Sequence, residues 1–242
     1  KNSLEQFGIS TISSATFGSG DGGNINIEAQ QMTLDDEVGI SAKQLKLDDT
    51  AIKGGKAGNI TIKATDFISS TNSQIITEAL TSDGGKISLK TPSLMISDRG
   101  AINASVKTGK STAGDIDIDV ATLTLNNGGQ ITSSSGERGT GGNIVIAASD
   151  YVKLHSGGIL KSTTEDGIAG NIQITTPQLE LDDISIISAQ SLSTGQAGKV
   201  NIQSDYSVSI NNSEINTASQ KGQGGSITIN THDLRLENNG RI

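Results

Sequence analysis

The sequence predicts an all-β fold, a right-handed parallel β-helix in which short strands wind repeatedly around one axis. Three observations lead there. A motif recurs about every 28 residues, apolar and polar residues alternate within each copy, and the 242-residue chain holds 30 Gly with only 2% aromatics. A repeat of this size buries too little by itself, so copies in register gain a core by stacking.

Each copy opens on Gly, a polar residue and an alternating apolar pair. The copies start Gly23-Asn24-Ile25, Gly58-Asn59-Ile60, Gly85-Lys86-Ile87, Gly114-Asp115-Ile116, Gly142-Asn143-Ile144, Gly170-Asn171-Ile172, Gly198-Lys199-Val200 and Gly225-Ser226-Ile227. The Gly-to-Gly spacings are 35, 27, 29, 28, 28, 28 and 27. A second apolar pair follows, as in Met32/Leu34, Leu94/Ile96, Leu123/Leu125, Leu179/Leu181 and Leu234/Leu236. A third apolar position comes later, at Ile40, Ile102, Ile131, Ile187 and Ile242. Alternation with period two is the mark of a strand with one buried face. The repeat therefore reads as three short strands and three turns. Asp35-Asp36, Asp48-Asp49, Asn126-Asn127, Asp182-Asp183, Asn211-Asn212 and Asn238-Asn239 mark the corner after the second strand, because Asp and Asn tolerate the left-handed conformation. Parallel pairing is open to such a chain because each coil is its own crossover connection. About eight or nine coils at ~4.8 Å each give a rod roughly 40 Å long.

The phase slips in two ways. Between Gly23 and Gly58 the middle element occurs twice, which predicts a bulge or flap over residues 35–53. In copies carrying Asp66-Phe67, Asp150-Tyr151 and Asp205-Tyr206 an Asp-aromatic pair precedes the second apolar pair. In the latter two that pair is displaced by one residue, to Val152/Leu154 and Val208/Ile210. A one-residue slip would turn every side chain over, so a compensating β-bulge is expected, with Phe67, Tyr151 and Tyr206 plugging it. Leu4, Phe7, Ile9 and Ile12 read as part of a coil, and the final residues stop at a third strand. Without polar caps at either end, residues 1–242 read as one repeat array cut from a longer rod.

Composition narrows function. A net charge of −8 disfavours nucleic acid, which needs a basic stripe, and anionic membranes. Cysteine is absent, which removes disulfide frameworks and thiolate metal sites. The apolar runs are too short for a transmembrane helix, and no membrane insertion is expected.

The stretch Gly58-Asn59-Ile60-Thr61-Ile62-Lys63-Ala64, followed by an apolar pair and a Gly/Asn/Asp corner, resembles the filamentous-haemagglutinin-like exoproteins of two-partner secretion (TpsA-type adhesins). The resemblance covers roughly residues 9–242, and Gly-Asn-Ile-x-Ile is intact four times, at Gly23-Asn24, Gly58-Asn59, Gly142-Asn143 and Gly170-Asn171. It implies a right-handed parallel β-helix in a protein exported by a dedicated outer-membrane transporter partner. It also implies a location in the medium or on the outer surface of a Gram-negative-type bacterium, and adhesion to a glycan or protein receptor on a host or neighbouring cell. Related members carry a toxin at the end of a β-helical stick, which is an alternative end-use.

Candidate chemistry is sparse. Asp115, Asp117 and Asp119 alternate with Ile116 and Ile118, so their carboxylates line one outward face that could hold a hard cation such as Ca²⁺. The competing reading is a solvated strand face, because neighbouring copies place Val145 or Lys90 there. Gly18-Ser19-Gly20-Asp21-Gly22-Gly23 resembles a calcium-binding turn but occurs once. His155 and His232 occupy different repeat positions without partners. A polysaccharide-active β-helix enzyme would need convergent carboxylates and bases, whereas Arg99, Arg138, Arg235 and Arg241 fall in different phases. The sequence therefore predicts a non-catalytic protein with no cofactor. Two roles remain, a stalk that spaces other modules and a rod that adheres through its own side. In the second, residues 35–53 and 105–113 are the irregular zones where contacts are expected.

Overall fold

The computed structural model of the chain describes residues 10–45 and 54–242. Its strands form two parallel sheets. One sheet stacks a short strand from each coil in the order β1 (Thr11–Phe17), β3 (Gly39–Leu45), β5 (Gln74–Ala79), β7 (Ala101–Val106), β9 (Gln130–Ser135), β11 (Ile159–Thr164), β13 (Ile186–Ser191) and β15 (Glu214–Asn216). The other stacks long strands: β2 (Ile25–Asp35), β4 (Ile60–Thr71), β6 (Ile87–Ser97), β8 (Ile116–Leu125), β10 (Ile144–Leu154), β12 (Ile172–Asp182) and β14 (Lys199–Asn211). In the last coil β16 (Ser226–Asn230) and β17 (Asp233–Glu237) pair with the two halves of β14. Each strand pairs with its equivalent one repeat away, as in Ile144↔Ile172 and Leu160↔Ile187. The fold is a parallel β-solenoid.

The expected three strands per coil become two. The first and second apolar pairs lie on one long bent strand, because the residues between them stay in the ladder on at least one side of the bend. The third side is the Gly/Ser/Thr loop, where single parallel bridges link Thr112, Thr140, Ile168 and Gln196 in successive coils.

The glycine that opens each repeat sets how closely the coils approach. A Cβ placed on Gly58, Gly85, Gly114, Gly142, Gly170, Gly198 or Gly225 would collide with the carbonyl oxygen of the equivalent glycine one coil earlier. Only hydrogen fits between these stacked backbones, so the column is a steric requirement. Immediately after it the ladder begins: the Ile144 N–H donates to the Asn171 carbonyl at 2.9 Å, and the Ile116 N–H to the Asn143 carbonyl at 2.9 Å. Buried hydroxyls close the column from inside. Ser133 and Ser162 donate to the carbonyls of Gly114 and Gly142, both at 2.9 Å, and Thr77 donates to that of Gly85 at 2.6 Å.

The core is a single file of aliphatic side chains. Ile60, Ile62 and Ile68 from β4, with Ile75 from β5, are fully buried, and the same set recurs as Ile144, Ile146, Val152 and Leu160. Each such side chain contributes about 1.5–3 kcal/mol. Ile40, Ile102, Ile131 and Ile187 fill the third position as the pattern predicts, and Ile75, Leu160 and Ile215 join them. Ile242, Leu234 and Leu236 differ: they lie exposed on the last coil, which has a neighbour on one side only among the described residues.

The phase slips resolve as expected in one respect. The ladders shift by one residue within β4, β10 and β14, so each carries one extra residue at its bend and keeps Ile68, Val152 and Val208 inside. The aromatics do not plug these bulges. Tyr206 is 64% exposed, and Phe67 and Tyr151 sit half-buried on the outer surface. The aliphatic residue after each bulge already fills the interior, and alternation turns the aromatic outward. The expected flap over 35–53 is also corrected. Gly39–Leu45 is a regular strand, offset by 28 residues from β1 and by 35 from β5, so the extra residues follow Leu45. Residues 46–53, with Asp48-Asp49, lie outside the described residues, as do Leu4, Phe7 and Ile9.

The corner after each long strand is left-handed. Asp36, Asn72, Asp98, Asn127, Ser156, Asp183, Asn212 and Asn238 all have φ between 45° and 54°. In several coils the next residue is left-handed too, as at Gly128 and Gly157. Ile184 occupies that position with φ 59° while 65% exposed, an unfavourable conformation for a β-branched residue.

Two substitutions check this account. Gly170→Ala should lower stability by about 3 kcal/mol through overpacking, whereas Gly224→Ala, which meets open space, should stay within about 0.5 kcal/mol. Urea titration of both variants separates them. Ile184→Asn should raise stability by about 1 kcal/mol by relieving the left-handed β-branched residue, read as a higher thermal midpoint.

Candidate functional site

The chemistry-bearing residues lie on the outer faces of the rod. The polar residue after each column glycine builds a ladder. Asn24 Oδ1 accepts the Asn59 N–H at 2.8 Å, and Asn59 Oδ1 accepts the Lys86 N–H at 2.8 Å. Asp115 accepts the Asn143 N–H at 2.7 Å, Asn143 accepts that of Asn171 at 3.0 Å, and Asn171 accepts that of Lys199 at 2.9 Å. Lys86 and Lys199 have no side-chain acceptor, so each ends a run. Gly-Asn is therefore a structural pair: Gly lets the coils touch and Asn ties the touching backbones. A similar ladder follows the next corner, where Asn211 Nδ2 donates to Asp182 at 2.8 Å and Asn238 Nδ2 donates to Asn211 at 2.8 Å.

Asp115, Asp117 and Asp119 do alternate outward on β8, but each is engaged separately. Asp115 belongs to the ladder, Asp117 pairs with Lys86, and Asp119 pairs with Lys90 at 2.6 Å. Among the described residues no group of three or more His, Asp or Glu side chains is placed to hold a metal ion. Charge pairing between neighbouring coils is general: Lys63–Glu28 (3.6 Å), Lys107–Glu78 (3.3 Å), Lys153–Glu180 (3.0 Å) and Arg241–Glu214 (2.7 Å) all join adjacent turns. Such exposed pairs contribute about 0–1 kcal/mol each. His155 Nδ1 lies 3.4 Å from Asp182, and His232 lies far along the chain in the last coil.

Residues 105–113 do not protrude. Ser105 and Val106 end β7, the Thr108 N–H donates to the Leu80 carbonyl at 2.9 Å, and the Gly109 N–H donates to Glu137 at 3.1 Å. The segment is stacked on the coils at both sides. Above it, Asp166 accepts from both the Thr194 hydroxyl and the Thr194 N–H.

Two grooves run along the axis. One, of about 580 Å³, follows the glycine column between Asp21, Asn59, Lys86 and Asp115 and is mainly polar. The other, of about 690 Å³, lies at the bend of the long strands and is floored by Ala64, Pro92, Val120, Ala121 and Ala148. The sequence reading missed this second groove. Its signal was the small or short side chains that separate the two apolar pairs in successive repeats.

Comparison with protein-family models, with characterised proteins and with solved structures finds no match to this chain.

The Thr194 hydroxyl and N–H, and then the Arg138 guanidinium, hold the Asp166 carboxyl below the usual carboxylate range against a small opposing effect of burial. Its stabilising contribution is present above the ordinary carboxylate pKa and is lost as pH falls through the lowered value. Asp166→Asn should therefore flatten the acid limb of the thermal midpoint below about pH 4. An unchanged acid limb would show that these contacts do not persist in solution.

Proposed function

We propose that this chain is a non-catalytic structural and adhesive rod segment of a secreted bacterial surface exoprotein of the filamentous-haemagglutinin type. The observation that carries the reading is the continuous stack of coils at a near-constant repeat of 28 residues. Such a stack gains reach in proportion to its repeats and shows the same faces along its length. Its outer charges are largely paired between coils, and its exposed strand positions carry short polar residues, so the surface is hydrated without a strong field of one sign. The four Gly-Asn-Ile-x-Ile copies support the link to two-partner secretion, and with it an outer-membrane transporter and a location outside the cell.

Deleting one whole repeat, Gly142–Ala169, tests the rod. The joined chain should stay folded and shorten by about 4.8 Å, read as a smaller maximum dimension in small-angle scattering. Beads coated with the intact chain should adhere to a panel of bacterial and animal cells. A compact particle in scattering, or turnover of a polysaccharide by the purified chain, would contradict the reading.

A further inference from the structure

We propose that the groove at the bend of the long strands binds an uncharged polysaccharide chain lying along the rod axis. The proposal rests on the adhesive reading and gives it a ligand. The groove spans β4, β6, β8, β10 and β12, so it is about 19 Å long and runs across the strands. A site of this shape takes an elongated occupant. Its volume of about 690 Å³ lies within the range of sites for sizeable small molecules.

Three observations select the occupant. First, the floor offers methyl and ring carbons from Ala64, Pro92, Val120 and Ala148, while Thr65, Thr91 and Thr175 supply hydroxyls along the walls. A sugar ring needs that combination: its C–H face seeks apolar surface and its hydroxyls seek donors and acceptors. Second, the charges are already matched. Lys90 pairs with Asp119 at 2.6 Å and Lys63 with Glu28 at 3.6 Å, so the groove has no free cation for a sulfate or carboxylate, and the chain carries a net −8. The paired groups still accept and donate to hydroxyls. Third, Phe67 and Tyr151 stand half-exposed in the register column that includes Ser93 and Thr122, the residues directly beyond Pro92 and Ala121 of the groove. They are three coils apart, about 14 Å, and offer two ring faces for stacking beside the groove. An extended peptide is disfavoured because the long strands beneath the groove are already paired on both sides from β4 to β12, leaving no edge to extend.

The test uses the full 242-residue chain with cellohexaose and mannohexaose as neutral probes, and a heparin hexasaccharide and hexagalacturonate as anionic ones. Binding is read by titration calorimetry and by amide chemical shifts. At least one neutral hexasaccharide should bind, with shifts centred on residues 63–65, 90–92, 119–121 and 147–149. Ala147→Arg, at an exposed wall position, should weaken it tenfold or more, and Tyr151→Ala three- to tenfold. Thr65→Arg, at an exposed position two coils away in the long sheet, is the second blocking variant, and thermal melts report that each variant stays folded. Failure of both neutral probes to bind, equal affinity in both blocking variants, or preference for either anionic probe would overturn the proposal. Cell adhesion that persists in both blocking variants would remove the groove from the mechanism while leaving the adhesive rod intact. Oligosaccharide binding without cell adhesion would do the reverse.

Discussion

The close approach of backbones at the opening glycines governs the rest of the structure. Where Gly142 sits against Gly170, the two coils touch with no side chain between them. That contact fixes the spacing and the phase of everything that follows. The Asn143 side chain can then reach the Asn171 N–H, the ladder starts in register at Ile144, and the next apolar residues fall on the inner face. A larger residue at one glycine would push its neighbours out of reach together, since the ladder, the hydroxyl contacts of Ser133 and Ser162 and the aliphatic file all depend on the same separation.

Much of this was readable from the residues. The Gly-Asn-Ile-x-Ile copies gave the repeat, the period-two alternation gave the inner face, and the Asp and Asn pairs marked left-handed corners that are present at Asp36, Asn127, Asp183 and Asn238. The bulges in the three Asp-aromatic copies were also legible, because Val152 and Val208 can only be buried if one residue is absorbed. What misled was treating aromatics as filler. Tyr206 and Phe67 point out because Val208 and Ile68 already occupy a narrow interior. The joining of two strands into one was hidden because a bend leaves alternation intact on both sides. The irregular zones also read as more irregular than they are: Gly39–Leu45 and residues 105–113 lie in ordinary register, and a spacing of 35 locates an insertion only after the partner strands are known.

The candidate site was less legible than the fold. A groove across a solenoid is assembled from positions about 28 residues apart, so no local motif announces it. Ala64, Pro92, Val120 and Ala148 read individually as small residues between two strands. Their meaning appears when the coils are stacked and the bend aligns them. The acidic strand of β8 shows the converse. Asp115, Asp117 and Asp119 look like a concentrated site in one dimension, yet the stack hands them to Asn143, Lys86 and Lys90 respectively. In a solenoid the nearest chemical neighbour of a surface residue is one repeat away, and single-strand motifs are a poor guide to it.

The central claim, parallel coils in register on a glycine column, is tested most directly by scalar couplings across hydrogen bonds in solution. The account predicts couplings from the Ile144 N–H to the Asn171 carbonyl, from the Ile116 N–H to the Asn143 carbonyl and from the Ile87 N–H to the Asp115 carbonyl, each joining residues one repeat apart. Couplings linking strands within one repeat, in the alternating pattern of antiparallel hairpins, would show separate sheet units and contradict it.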